Sequence, residues 1–177
     1  MIIRSARPED AGSLVALLVH GALVEGKEDP ENPERYVEAL AAIRSTPGND
    51  VLVAELDGAV VGMCQLVVFR HLQSVGGLCA EIESMHVHPD VRSGGIGGQL
   101  LSAAVEAARR AGCYRVQLTS NAVRTDGHRF YRRHGFEPSH VGFKQLLATG
   151  GADDPSGSDH HRVWPASGQE GPATSRP

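Results

Sequence analysis

The sequence is poor in cysteine, in aromatic residues and in long apolar runs, and it has no excess of basic residues. Its three cysteines, Cys64, Cys79 and Cys113, are widely spaced and odd in number, so we expect no disulfide framework and a reducing, cytoplasmic location. Apolar runs such as residues 66–69 are far shorter than the roughly 20 residues of a membrane-spanning helix, which excludes a membrane span. The net charge of −4 disfavours nucleic acid as the main partner.

The length and composition predict one globular domain followed by a tail. A chain of 177 residues with 41% hydrophobic and 21% charged residues can bury one full core and has ordinary globular composition. We assign residues 1–148 to this domain. Residues 149–177 are predicted to form a flexible tail, because glycine, proline and serine fill 13 of the 29 positions. Trp164 is either an exposed residue without a role or a docking anchor.

The apolar periodicity predicts strands and helices in alternation along the domain. A particularly clear signal is the Asp57-Gly58 pair, which is typical of a hairpin turn between two apolar strands. The predicted strands are 2–6, 51–56, 59–68, 79–87, 114–120 and 141–148, and the predicted helices run from about 10 to 25, 34 to 45, 95 to 111 and 124 to 134.

A glycine-rich run joins the strand at 79–87 to an amphipathic helix. It reads Arg92-Ser93-Gly94-Gly95-Ile96-Gly97-Gly98. Glycines let backbone N–H groups approach an anion closely, and the following helix directs its free N-terminal amides to the same point, so the run is typical of a pyrophosphate site. The dinucleotide fingerprint fails because its third glycine would fall on Leu100, and the nucleotide-triphosphate loop fails because no Lys-Ser or Lys-Thr follows.

A second block follows at residues 118–121 and 126–136, which ends in Phe130-Tyr131-Arg132-Arg133-His134-Gly135-Phe136. Together with the R-x-x-G-x-G pattern at Arg92, it resembles the GNAT superfamily of N-acetyltransferases. The resemblance covers roughly residues 1–148 and is specific from Leu56 onward. The segment 137–144 is most similar to aminoalkylphosphonate and other small-amine N-acetyltransferases of bacteria.

The resemblance implies an α/β fold, in which a mostly antiparallel, twisted mixed sheet flanked by helices splays open to admit acetyl-CoA. The backbone of the strand before the glycine run would pair with the pantetheine arm, Asn121 would hydrogen-bond the cofactor, and Tyr131 would lie beside the thioester sulfur. The expected cofactor-binding residues are Met85, His86, Val87, Arg92, Ser93, Gly94, Gly95, Ile96, Gly97, Gly98, Asn121 and Tyr131.

Two carboxylates are candidates for the general base. Strict strand alternation places Glu81 and Glu83 on one side with Met85 and Val87, and it places Ile82, Ser84, His86 and His88 on the other. In related enzymes with a strand base, the carboxylate lies eleven residues before the arginine motif, which is Glu81 here, and Glu83 is the alternative. Tyr131 is the predicted acid. No covalent acetyl-enzyme is expected, because Cys79 and Cys113 lack a recognisable partner base.

The predicted activity is acetyl transfer to a primary amine of a small molecule by direct attack. A non-catalytic acyl-CoA sensor and a protein N-terminal or lysine acetyltransferase are the alternatives, and a homodimer is left open. The His86-x-His88 pair could bind a divalent metal, but no third ligand has a recognisable spacing, so no metal is expected. The arginines at 124, 129, 132 and 133 form either a solvated face or a contact to the 3′-phosphate of CoA.

Overall fold

The structure, a computed structural model, describes residues 1–147. Contacts between residues group the chain into one unit of Met1–Gly142 and another of Phe143–Pro177. The predicted tail and Trp164 lie outside the described residues. The strands are β1 Ile2–Ser5, β2 Asp50–Leu56, β3 Ala59–Arg70, β4 Leu78–Val87 and β5 Cys113–Leu118, and the helices are α1 Ala11–Gly21, α2 Glu34–Ser45, α3 Gln73–Gly76, α4 Ile96–Arg110 and α5 Thr125–Arg133.

The five strands form one sheet in the order β1-β2-β3-β4-β5. The first three pairings are antiparallel, and β4 pairs with β5 in parallel. Helix α4 provides the crossover that a parallel pair requires. The Asp57-Gly58 hairpin is confirmed, because both residues have the positive φ of a tight turn, 52° and 81°. The expected mostly antiparallel mixed sheet flanked by helices is therefore confirmed.

Helices cover both faces of the sheet, and each face has its own core. Adjacent residues of β3 illustrate the alternation, because Met63 contributes to one core and Cys64 to the other. The core under α4 contains Cys64, Leu66, Ala80, Ile82, Leu100, Leu101, Ala104 and Ala108. The core under α1 and α2 contains Ala6, Leu14, Leu17, Leu40, Val51, Val53 and Met63.

A β-bulge interrupts β4 and changes which residues share a face. Met63 pairs with His86 and Gln65 pairs with Glu83, so two residues of β4, at positions 84 and 85, lie opposite one residue of β3. Ser84 takes up the extra residue in a left-handed conformation with φ of 48°. The prediction of strict alternation is wrong beyond this point. Met85 packs with Ile82 against the α4 core, whereas the imidazole of His86 lies against α1, on the side of Glu81 and Glu83.

Two predicted elements differ from the structure. Helix α1 was expected to continue to Glu25 but ends at Gly21, where Ala22 takes an extended conformation. Beyond that point Leu23 and Val24 are exposed, so no buried face supports further turns. The predicted strand 141–148 is wrong over residues 141–147, which have no regular secondary structure. Their apolar side chains, Val141, Phe143, Leu146 and Leu147, are exposed, and a strand needs both pairing and packing.

A buried ion pair fixes the N-terminal end of α1 to the sheet. Asp10 is 6% exposed and accepts two hydrogen bonds from Arg4, at 2.7 and 2.9 Å. Arg4 also donates to Glu55 of β2 at 2.7 Å. The hydrogen bond from Arg4 lowers the pKa of the Asp10 carboxyl below its usual range, so the pair is charged at neutral pH. This link holds α1 over the sheet and so helps to position the far end of α1.

No helix among residues 1–147 has the length and apolar character needed to cross a membrane.

Candidate functional site

Strands β4 and β5 pair over only part of their length. The pairing runs from Leu78 and Cys113 to Ile82 and Leu118, whereas β4 continues to Val87. Within the part of the chain that the structure describes, residues 83–87 therefore have no strand neighbour on this edge. Such an edge can pair with an extended ligand through main-chain hydrogen bonds alone. The residues expected along the pantetheine arm, Met85, His86 and Val87, lie on it.

The glycine-rich loop lies at the end of this edge and leads into α4. Ser93 and Gly95 have left-handed φ values of 70° and 77°, and they alternate with residues of negative φ. This alternation is typical of backbone concavities that bind anions. Helix α4 begins at Ile96 with no side chain capping its first amides, so these N–H groups are available to a ligand. Arg92 is exposed, and its Nε donates to the carbonyl of Val87 at 3.1 Å.

The two glycines in the first turn of α4 differ in the space around them. A Cβ at Gly97 would lie 3.5 Å from the ring of Phe130, an ordinary contact. A Cβ at Gly98 would lie 2.7 Å from Nε2 of His134, so α5 packs tightly at that position. The uncapped amides at the start of α4 and the exposed Arg92 match the negative charge of a pyrophosphate.

Glu81 is held by a hydrogen-bonded partner on β5. Nε2 of Gln117 donates to Oε2 of Glu81 at 3.3 Å, and the two residues are paired in the strand register. The amide oxygen of Gln117 accepts a weak hydrogen bond from Cys79 Sγ at 3.8 Å. Arg115 Nε in turn donates to the same sulfur at 3.2 Å. A chain of side chains thus fixes the orientation of Glu81.

Glu83 directly follows Ile82, the last residue of β4 that pairs with β5, and it is exposed. The negative charge of its carboxylate contributes to raising the pKa of the Tyr131 phenol. The structure therefore brings Glu83 and Tyr131 into electrostatic range of one another. Glu81 lies deeper, within the paired part of the two strands.

Tyr131 lies on α5, and its ring is half-buried against the α4 core. Phe130 and Phe136 make edge-on contacts with it at ring-centroid distances of 5.2 and 6.0 Å. Burial is the main cause of the raised pKa of Tyr131, and the neighbouring Cys64 and Glu83 add to it. The phenol consequently keeps its proton throughout the neutral range and can act as a hydrogen-bond donor.

Basic side chains surround the C-terminal end of α1. Arg124 donates to the carbonyl of Gly21, which satisfies one of the free carbonyls at the helix end. The imidazole of His86 lies so close that a Cβ at Gly21 would be 1.9 Å from its Nδ1. The rings of His20 and His88 contact each other at 5.1 Å. Burial is the main cause of the lowered pKa of His86, and the charges of Arg124 and Arg92 lower it further.

The remaining candidates from the sequence are Asn121, the arginines of α5 and a possible metal site. The side-chain oxygen of Asn121 accepts from the N–H of Val123 at 3.1 Å, so it is engaged within its own loop. Arg129 forms an ion pair with Asp126, and Arg129, Arg132 and Arg133 are all exposed. Among residues 1–147, no group of three or more His, Cys, Asp or Glu side chains could hold a metal ion.

Three features of the site were missed in the sequence. Gln117 carried no signal of its own, because its contact with Glu81 arises from the pairing of β4 with β5. The bulge at Ser84 leaves no mark in the residue pattern. Arg124 was recognised as basic, but its hydrogen bond to the carbonyl of Gly21 joins residues that are distant in the chain, so the sequence could not separate it from the other arginines.

Comparison with known proteins identifies the family. Residues 18–136 match the acetyltransferase (GNAT) family. The chain belongs to this family. The predicted family and the prediction of an acyltransferase are therefore confirmed, and this acetyltransferase carries the family's open sheet.

This acetyltransferase has relatives of similar length. It is 35% identical over 145 residues to an aminoalkylphosphonate N-acetyltransferase of Salmonella typhimurium, covering 82% of this chain and 90% of that protein. A crystal structure described as a transcriptional regulator from Bacillus halodurans superposes with a TM-score of 0.78 and 35% identity, covering 82% of this chain and 99% of the other. A putative acetyltransferase from Agrobacterium tumefaciens gives a TM-score of 0.76 with 25% identity over 83% and 100%.

Proposed function

We propose that this protein transfers the acetyl group of acetyl-CoA to the primary amine of a small acceptor that carries an anionic group. The observation that carries the proposal is that acidic and basic side chains lie together on one face of β4. There the bulge brings His86 to the side of Glu81 and Glu83, and Arg124 lies beside it. An acceptor with an ammonium at one end and an anion at the other complements the carboxylates and the guanidinium together. An aminoalkylphosphonate, the acceptor named for the Salmonella relative, has this chemistry.

The free edge of β4 and the glycine loop support acetyl-CoA as the donor. The pantetheine arm would pair with the backbone at residues 85–87, and the pyrophosphate would bind the amides at residues 93–98 with help from Arg92. The thioester would then lie between β4 and β5, close to the carboxylates and Tyr131.

The chemistry is a direct attack of the amine on the thioester carbonyl. Glu81 accepts the proton that the ammonium must lose, and the nitrogen then forms the new C–N bond. As the C–S bond breaks, the phenol of Tyr131 donates its proton to the departing sulfur, which leaves as the thiol of CoA. The second proton lost by the acetylated nitrogen restores the phenol, so the other product is a neutral amide. The raised pKa of Tyr131 suits this role, because the group is protonated when the thiolate forms.

Gln117 is a positioning residue in this scheme. Its hydrogen bond to Oε2 of Glu81 leaves the other carboxylate oxygen available to the acceptor. Glu83 is the alternative base, since it lies nearer the open end of the strand pair and acts on Tyr131. The prediction remains that Glu81 carries the larger share of proton transfer.

The test is an acceptor panel with detection of free CoA. It contains 2-aminoethylphosphonate, a neutral amine of the same length, a polyamine, and peptides with a free N-terminus or a lysine. We expect the phosphonate to have the highest kcat/KM. A preference for the polyamine or the peptides would contradict the proposed acceptor class.

Arg124→Met tests the anion contact directly. It should raise KM for the phosphonate at least tenfold and leave the neutral amine unchanged, because only the former loses a charge-assisted hydrogen bond. Arg129→Met, which removes an exposed arginine of the same helix, is the matched control. Equal losses for both acceptors would show that Arg124 acts only by supporting the end of α1.

A second candidate function is a non-catalytic acyl-CoA sensor. The favouring observation is that a structural neighbour with 35% identity is described as a transcriptional regulator. A sensor would bind acetyl-CoA without releasing CoA in the presence of any amine. Amine-dependent release of CoA by the purified protein would exclude it.

A further inference from the structure

A small apolar cavity lies between α1, α2 and the sheet, on the same face as the carboxylates. Its volume is about 90 Å³. Leu14 and Leu18 of α1 and Leu40 and Ile43 of α2 form its walls, and Met63 and Ser84 form the part nearest the sheet. Nothing in the proposed mechanism uses this cavity.

The cavity is adjacent to the reacting end of the proposed acceptor site. Ser84 is the bulge residue and directly follows Glu83 in β4. Gln65, which also lines the cavity, is the strand partner of Glu83. An amine held beside Glu83 is therefore next to the cavity, and a substituent on its neighbouring carbon can extend into it.

Tyr36 lines the cavity on the side toward the basic side chains at the C-terminal end of α1. The hydroxyl of Tyr36 accepts from the N–H of Asp29 at 2.8 Å and donates to Oε2 of Glu28 at 3.1 Å. The hydroxyl group of Tyr36 is therefore hydrogen-bonded to residues 28 and 29, and its aromatic ring is the part that can contact a ligand in the cavity. The negative charge of Glu28 also favours the protonated form of His86. Tyr36 and the side chains proposed to bind the anion therefore border the same region.

The lining residues and the volume of the cavity determine which chemical group it can bind. The leucine, isoleucine and methionine side chains that line the cavity favour contact with a hydrocarbon group. A cavity of about 150 Å³ accommodates benzene. A volume of about 90 Å³ is smaller and suits a chain of roughly three or four carbons.

We propose that this cavity binds an aliphatic substituent of three or four carbons carried on the carbon next to the acceptor amine. The inference rests on the proposed function and narrows its acceptor class to branched amines with an anionic group, such as 1-aminoalkylphosphonates. The ammonium would face the carboxylates, the anion would face Arg124, and the alkyl group would fill the cavity.

The experiment measures kcat/KM for 1-aminoalkylphosphonates whose substituent is hydrogen, methyl, ethyl, propyl or hexyl. We expect an increase of about fourfold for each carbon up to propyl, from the transfer free energy of a methylene group, and a fall at hexyl. A flat series would overturn the inference and leave the proposed function standing. Absence of turnover for every member, with acetyl-CoA still bound, would refute the proposed function and the inference with it.

Two substitutions at Ile43 change the cavity in opposite directions. Ile43→Ala enlarges it, so the optimum should move from propyl toward longer chains. Ile43→Trp fills it, so the rate should fall for the propyl compound and persist for the unsubstituted one. Val60→Ala is the matched control, because Val60 packs on the same core without lining the cavity.

Binding measured by calorimetry supplies a readout that is independent of turnover. The propyl compound should bind the folded wild-type protein more tightly than the unsubstituted one, and this advantage should vanish in Ile43→Trp. Circular dichroism and thermal melting of each variant establish that it is folded. An unchanged chain-length preference in a folded Ile43→Trp variant would overturn the inference.

Discussion

At the scale of single residues, the proposed acid is the most direct test of chemistry at the site. Tyr131→Phe keeps the ring and its packing against the α4 core but removes the proton donor. Turnover should fall by roughly 10² to 10⁴ if protonation of the thiolate limits the rate, whereas the KM for acetyl-CoA should change little. Steady-state assays of free CoA give both values. Full turnover of the variant would assign Tyr131 a packing role alone.

The choice between the two carboxylates is also a question for single residues. Glu81→Gln preserves shape and the contact with Gln117 while removing the proton acceptor, so turnover should fall at neutral pH and the acidic limb of the pH-rate profile should disappear. Glu83→Gln should have a much smaller effect. The reversed result would place the base two residues further along β4. Two silent substitutions would leave water as the proton acceptor.

At the scale of elements, the glycine loop and the start of α4 act as one unit. Gly97→Glu adds a negative charge in the first turn of α4, next to the free amides proposed to bind a pyrophosphate, and so opposes its binding. Acetyl-CoA should raise the melting temperature of the wild type, since a ligand that binds only the folded state adds about 2.7 kcal/mol at a hundredfold excess over its Kd. The substitution should abolish that increase.

Gly97→Ala is the control for this experiment. Its Cβ would have only ordinary contacts with Phe130 and Val87, so this variant should fold and show whether a methyl group alone interferes. A Gly97→Glu variant that folds and responds to acetyl-CoA like the wild type would remove the pyrophosphate assignment.

At the scale of the whole molecule, His86 makes stability depend on pH. The pKa of its imidazole is lowered from the ordinary 6.5, chiefly by burial, so the unfolded chain takes up a proton more readily than the folded one. The contribution is present in full above about pH 6.5 and is lost as pH falls through the folded pKa. Urea unfolding between pH 7.5 and 5 should show this loss, with a slope of up to about 1.4 kcal/mol per pH unit.

His86→Gln should reduce that slope, because it removes the group whose protonation differs between the two states. His140→Gln, at an exposed position, is the control and should leave the slope unchanged. Identical slopes in wild type and His86→Gln would show that other groups cause the acid sensitivity.

The proposed boundary between domain and tail is likewise a property of the whole chain. Deletion of residues 149–177 should leave the free energy of unfolding within about 1 kcal/mol of the wild type, since this segment offers few apolar side chains to bury. Thermal melting of the shortened chain is the measurement. A large loss of stability would mean that Trp164 docks on a folded surface and that the boundary is wrong.

The sequence predicted elements well where the local signal is strong. Helix α2 was predicted at its observed bounds, and the β2-β3 hairpin follows from Asp57-Gly58, because turn chemistry and short-range periodicity act within a few residues. The end of α1 was misplaced by four residues, because Leu23 and Val24 find no surface to pack against and stay exposed. The expected strand at 141–148 had the right residue pattern, but a pattern cannot supply a pairing partner.

By itself the sequence determined the family, the glycine loop and the candidate residues Glu81, Glu83 and Tyr131, because these are carried by residue type and spacing along the chain. Only the tertiary structure decided which of them share a face. The single extra residue at Ser84 reverses the alternation of β4, so His86 joins the carboxylates and Met85 joins the core. A bulge is set by pairing with β3 across the sheet, and no local pattern encodes that register.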